Sequence, residues 1–158
     1  KSMLSESKSK TLILNKEDGN LQTTNARLDL PFDRDDIVTS DTDTYYTVIN
    51  IPGGVQIEIS KAGNYLISAE LSVDNMPPGD TEYELAILIN GDIAGYLSQG
   101  YASIPIPNDP GDEMGIGITG ALMYVLAADD TINIQYILAP NTPQLFNASF
   151  LKIGITKL

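Results

Sequence analysis

Hydrophobic and polar residues alternate with a period of two along most of this chain, and turn residues interrupt the alternation. In Val55-Gln56-Ile57-Glu58-Ile59, the residues Val55, Ile57 and Ile59 fall on one face of a strand. Lys61-Ala62-Gly63-Asn64 has turn chemistry, with a glycine free to take positive φ. Tyr65, Ile67, Ala69, Leu71 and Val73 then share a face, with Ser68, Glu70 and Ser72 opposite. Tyr83, Leu85, Ile87 and Ile89 alternate again and run into Asn90-Gly91. That dipeptide signals a type I′ hairpin, whose two central residues both need positive φ. Residues 93–97 form the return strand, and residues 104–113 form a loop with three prolines. Residues 116–126 form a nearly unbroken apolar run; Gly120 to Ala128 has the Ala, Leu and Met of a helix, but the Gly-Ile-Gly-Ile-Thr-Gly leading into it and Asp129-Asp130 after it argue for a strand. Ile132, Ile134, Tyr136 and Leu138 alternate, and a last strand covers about residues 146–158.

No segment has a 3.6-residue period of helical length. Eight to ten short strands at even spacing predict an all-β sandwich, jelly roll or barrel. Residues 1–27 differ, being rich in Ser, Lys and Asn with one apolar run at Leu12-Ile13-Leu14. They read as a linker or stalk connection with room for one short strand, leaving residues 28–158 as the head domain. A chain of 158 residues suits one such domain. No run of 18 apolar residues occurs, which argues against membrane insertion.

Composition narrows the chemistry. The chain has no cysteine and no histidine. Disulfides, thiolate metal sites and cysteine catalysis are excluded, as is imidazole proton transfer. An enzyme is therefore not expected. The net charge is -12 with only nine basic residues, whereas a nucleic-acid face needs clustered Lys and Arg. Nucleic acid is not an expected partner.

Four motifs remain. Asp33, Asp35, Asp36, Asp41 and Asp43 form the densest acidic cluster, which could bind calcium through carboxylates on a flexible loop or stand simply solvated. It lacks the turn glycine and closing glutamate of an EF-hand. Asn108, Asp109, Asp112 and Glu113 form a second such patch. Gly115-Ile116-Gly117-Ile118-Thr119-Gly120 spells G-x-G-x-x-G, but an acidic proline loop precedes it and a strand follows, so glycines at crowded points of a strand are the expectation. Tyr45, Tyr46, Tyr96 and Tyr101 flank loops, where a tyrosine can stack on a sugar, anchor a protein contact or pack a strand end.

The ordered set Ile57, Gly63, Tyr65, Ile67 and Ala69, followed by Leu88-Ile89-Asn90-Gly91, resembles the strand signature of C1q/TNF-like domains. The apolar and alternating strands over residues 123–138 and Ala148-Ser149-Phe150-Leu151-Lys152-Ile153 continue it. Ile57 and Ile67 stand where the animal pattern has phenylalanine, and Phe150 and Gly154 are spaced differently from its closing Phe-x-Gly. The match is nearer the bacterial and bacteriophage branch, which includes heads of collagen-like and exosporium surface proteins and virion fibres. The resemblance implies a jelly-roll β-sandwich of about ten strands that forms a homotrimer. It also implies an extracellular place, on a virion or a bacterial or spore surface, and a surface receptor, protein or glycan, as partner. No cofactor is implied beyond the calcium some such heads bind. A carbohydrate-binding module of a larger protein is the alternative.

Overall fold

The computed structural model describes residues 8–22, 24–142 and 145–158. They form eleven strands and a single-turn 3₁₀ helix at Arg34–Asp36. The strands are β1 (Thr11–Lys16), β2 (Gly19–Gln22), β3 (Thr24–Asp29), β4 (Tyr46–Ile51), β5 (Gly54–Ile59) and β6 (Gly63–Val73). They continue with β7 (Gly79–Ile89), β8 (Asp92–Ile104), β9 (Ile116–Leu126), β10 (Thr131–Pro140) and β11 (Leu145–Lys157). One sheet has the order β1-β11-β6-β9, with β2 also on β11. The other has the order β4-β5-β10-β7-β8, with β3 also on β10. All pairings are antiparallel. The two sheets stack as the expected all-β jelly-roll sandwich.

Period-two burial explains the core. On β6, Tyr65, Ile67, Ala69, Leu71 and Val73 are all buried, as the alternation requires. They meet Ile57, Ile59, Leu85, Ile87, Ile132, Ile134 and Leu138 of the other sheet in one core cluster. The stretch read as a linker belongs to the sandwich from Thr11 onward. Leu12, Leu14 and Leu21 are fully buried, and β1 and β2 pair with β11 while β3 pairs with β10. The apolar positions there are few; Leu12, Leu14 and Leu21 point inward, whereas Ile13 lies on the outer face.

The two sheets close on one flank, where the edge strands β8 and β9 meet. A Cβ added at Gly120 would lie 1.9 Å from the Leu97 carbonyl oxygen, and one at Gly95 would lie 2.3 Å from the Tyr124 hydroxyl. The last glycine of the G-x-G-x-x-G run is thus where two backbones cross, whereas Gly117 meets only Ser72 Oγ, at 4.0 Å. At the end of the sandwich Asn90 and Gly91 have φ of 53° and 85°, as a type I′ turn demands. Asn90 Oδ1 accepts from Thr131 N at 3.0 Å and its amide donates to Asp130 Oδ1 at 2.9 Å, tying this turn to the β9–β10 turn. The Asn90 amide, then the Ala127 N–H, hold the Asp130 carboxyl below its ordinary pKa.

Two outcomes follow. Gly120→Ala is expected to lower stability by about 3 kcal/mol through overpacking, while Gly117→Ala stays within about 1 kcal/mol of the parent in urea unfolding. Asn90→Gly keeps the turn's backbone and removes its side-chain bonds, at a cost of about 1 kcal/mol near neutral pH. A depressed carboxyl pKa stabilises the fold above the unfolded value and ceases to do so as pH falls through the folded value. The gap between Asn90→Gly and parent should therefore shrink in acid, measured by denaturation at several pH values below the ordinary carboxylate pKa.

Candidate functional site

Two surfaces stand out, one on the outer face of each sheet. On the sheet containing β9, the strand registers place Ile13, Gly154, Ser68 and Ala121 in one row across β1, β11, β6 and β9. Thr11, Thr156, Leu66 and Met123 form the next row. Neither row carries a charge, in a chain of net charge -12. Its hydroxyls bond within the sheet: Thr11 Oγ1 and Thr156 Oγ1 are 3.0 Å apart, and Ser68 Oγ donates to the Gly154 carbonyl at 3.4 Å. Beyond these rows Val125 pairs with Asn64, whose carbonyl accepts from Leu158 N. Asn64, Met123, Tyr124, Val125 and Leu158 line a shallow apolar hollow. Met123 is 69% exposed and Val125 84%.

The two edges of this sheet differ. Residues 37–39 cover β1: Val38 N donates to the Ile13 carbonyl, Ile13 N donates to Thr39 Oγ1, and Ile37 bridges to Leu14. Among the described residues strand β9 has a partner on one side only, β6, and its side chains at Leu122, Met123 and Val125 stay exposed. An open edge with exposed apolar side chains beside two uncharged rows is a feature that soluble monomers normally blunt or cover.

The outer face of the other sheet is polar and aromatic. Glu84 is nearly buried, and Arg27 reaches it with Nε at 2.5 Å and a second guanidinium nitrogen at 3.1 Å. The same guanidinium lies 5.9 Å from the centre of the Tyr96 ring and donates to its hydroxyl at 3.4 Å. Two residues along β7, Glu82 accepts from the Tyr101 hydroxyl at 3.1 Å. That hydrogen bond, and then the carboxylate's charge, raise the pKa of Tyr101. Gln99 pairs with Glu84 in the register and lies between the tyrosines.

Tyr96 and Tyr101 are thus brought to one face. Tyr45 and Tyr46 lie elsewhere. Tyr46 is 2% exposed, and its hydroxyl sits against the carbonyls of Lys10 and Ile155. Burial, with Tyr65 beside it, raises its pKa. It corrects the expectation of a ligand contact at this residue, since no ligand reaches a ring packed against Tyr45 and Tyr65. Tyr45 is half-buried under the Lys61 ammonium, 5.7 Å from its ring centre.

The aspartates are engaged in local structure. Asp33 caps the 3₁₀ helix: its side chain accepts from Asp35 N at 2.8 Å, while Asp36 Oδ2 accepts from Asp33 N at 2.8 Å. Asp36 also pairs with Lys16 at 3.4 Å. Asp41 takes a positive φ of 57° and its carbonyl accepts from Ser9 N. Asp43 is exposed. Among the described residues no three carboxylates converge on a metal position.

Arg27, Glu82, Glu84 and Gln99 were not singled out by the sequence. Glu82 and Glu84 are legible as the face opposite Tyr83 and Leu85, but their partners depend on the strand register.

No family model matches the chain, and no curated protein is similar to it in sequence. Solved structures share its fold. Eiger TNF from S. frugiperda is 17% identical, with a TM-score of 0.51 over 94% of this chain and 92% of that one. Murine APRIL is 12% identical, with a TM-score of 0.55 over 94% of this chain and 99% of that one. The fold is the TNF-like jelly roll.

Capping and calcium binding by Asp33 predict different results. Asp33→Ala is expected to lower stability by about 1 kcal/mol through the lost cap. The loss should be equal in millimolar calcium and in chelator, read from thermal unfolding in both.

Proposed function

We propose that this chain is a non-enzymatic homotrimeric head, carrying assembly and receptor binding on a bacteriophage virion or a bacterial or spore surface. The observation that carries the reading is the pair of uncharged rows beside the uncovered β9 edge. Met123 and Val125 stand at the β9 end of this outer face, Ile13, Ser68, Gly154 and Leu66 continue it across the sheet with small or apolar groups, and the backbone edge of β9 beside it is open. Edge and face are different surfaces of one subunit. A contact between them is heterologous, and such contacts form closed rings when the rotation allows. Three copies would cover every β9 edge and every face, which removes the aggregation hazard of the strand.

The absence of histidine and cysteine supports binding over catalysis. The fold shared with Eiger TNF and APRIL supports a head of this kind. Ile57 and Ile67, in place of the aromatics of the animal pattern, support the microbial or viral setting.

Light scattering coupled to sizing chromatography tests the assembly. The parent chain is expected at three times its 17.0 kDa mass. Met123→Glu combined with Val125→Glu should give the monomer mass with an unchanged far-ultraviolet spectrum, since both side chains already face solvent in the single chain. A parent that stays monomeric at micromolar concentration would refute the trimer.

A further inference from the structure

We propose that the outer face of the β7–β8 hairpin is a binding site for a neutral glycan, with Tyr96 and Tyr101 as stacking platforms and Glu82, Gln99 and Arg27 as hydrogen-bonding groups. This deepens the reading of the chain as a binding head and is independent of its oligomeric state. The site lies on the sheet opposite the uncharged rows.

The backbone has been arranged to build it. A two-residue turn at Asn90-Gly91 pairs Ile89 with Asp92 and Leu88 with Ile93. Continued without interruption, that register would set Tyr96 opposite Leu85, which faces the core. The register shifts between Ile87 and Leu88, so Tyr96 falls opposite Ala86 on the outer face. It shifts again between Leu85 and Ala86, and this brings Gln99 opposite Glu84 and Tyr101 opposite Glu82. Bulges re-aim side chains in this way and are common beside functional sites.

Both rings are also held in place. Tyr101 is 76% exposed, yet Glu82 fixes its hydroxyl. Arg27 holds Tyr96 by its ring and its hydroxyl. Arg27 is held in turn by Glu84, which is 7% exposed. An ion pair that takes a carboxylate largely out of water adds little to stability, because desolvation offsets the attraction. Here it orients an exposed aromatic ring. A pre-oriented tyrosine gives contact area at low entropic cost.

The chemistry selects the ligand. Aromatic faces take the C–H face of a sugar, while carboxylate, amide and guanidinium groups exchange hydrogen bonds with its hydroxyls. Arg27 cancels Glu84, so the site offers a basic peptide only the carboxylate of Glu82, already engaged with Tyr101. The net charge of -12 disfavours an anionic glycan.

The full chain should be tested by glycan array and titration calorimetry. The probes are neutral oligosaccharides of glucose, galactose, mannose and N-acetylglucosamine, with sialylated and sulfated counterparts. At least one neutral oligosaccharide is expected to bind in preference to its anionic counterparts. Tyr101→Ala and Gln99→Ala should weaken it, the tyrosine change by roughly tenfold or more. Tyr45→Ala should bind as the parent does. The Met123→Glu, Val125→Glu double variant should retain glycan binding, so that failure of the trimer and failure of this site are separable. Retention of no neutral oligosaccharide, or of anionic glycans or Lys/Arg-rich peptides alone, would overturn the proposal. So would a Tyr101→Ala protein of parental thermal stability that binds as tightly as the parent.

Discussion

The close approach of β8 and β9 is the constraint on which the rest of this molecule depends. Stacked sheets normally lie about 10 Å apart, separated by interdigitated side chains. At Gly120 the two backbones come together with no room even for a methyl group. At Gly95 the space beside the backbone belongs to the Tyr124 hydroxyl. The sandwich therefore closes on this flank by backbone contact. Leu122 lies beside this crossing, next to Gly95, while Met123 and Val125 alternate to the outer face and stay exposed there.

The same closure acts on β8. An edge strand that must curl over its neighbour gains twist and bend from bulges, and β8 has two register shifts within its pairing to β7. Each shift exchanges inward and outward positions from that point on. The first moves Gly95 to the inner side, where Tyr124 occupies the space, and moves Tyr96 to the outer side. Packing the flank and presenting an aromatic on the outer face are two results of one inserted residue. The Arg27–Glu84 pair then fixes what the bulge has exposed. Its location is unusual for stability alone, since it places a carboxylate in a nearly dry position on an outer face.

How far the fold could be read from the chain depended on how strongly each strand is buried. The strands β5, β6, β7 and β10 carry runs of apolar residues at every second position, although β7 starts at Gly79, before its apolar alternation begins at Tyr83. The three N-terminal strands were harder. β2 buries Leu21 between exposed neighbours, and four residues give no period to recognise. Their stability comes from pairing with β11 and β10, which local sequence does not display. The tyrosines divide on the same ground. Tyr101 follows β8 to the outer face under plain alternation, whereas Tyr96 does so only because of a bulge, and nothing in Asp92-Ile93-Ala94-Gly95 announces it. Tyr46 flanks a loop in sequence, yet it begins a strand with its ring turned inward. The aspartates near residue 33 suggested a metal, but an Asp three residues before another Asp also satisfies the hydrogen-bonding pattern of a helix cap.

The two outer faces differ in the polar groups they would leave to a partner. The rows through Ser68 and Leu66 have satisfied their hydroxyls internally, so covering them leaves little polar desolvation to offset the apolar gain. Such a face suits a permanent contact with a surface of the same kind. The face bearing Tyr96 and Tyr101 is the reverse. Tyr101 is held at its hydroxyl with its ring largely exposed, Tyr96 carries Arg27 against its ring and hydroxyl, and the exposed amide of Gln99 stands between them. Burying that face permanently under protein would require a partner for each of these groups. A hydroxyl-rich ligand that arrives with its own donors and acceptors meets that requirement, and can leave again into water. In a closed ring of subunits joined through the first face, the second would point outward from every copy. Weak single-site affinities would then act together on one surface, and their avidity would depend on the spacing of the sites.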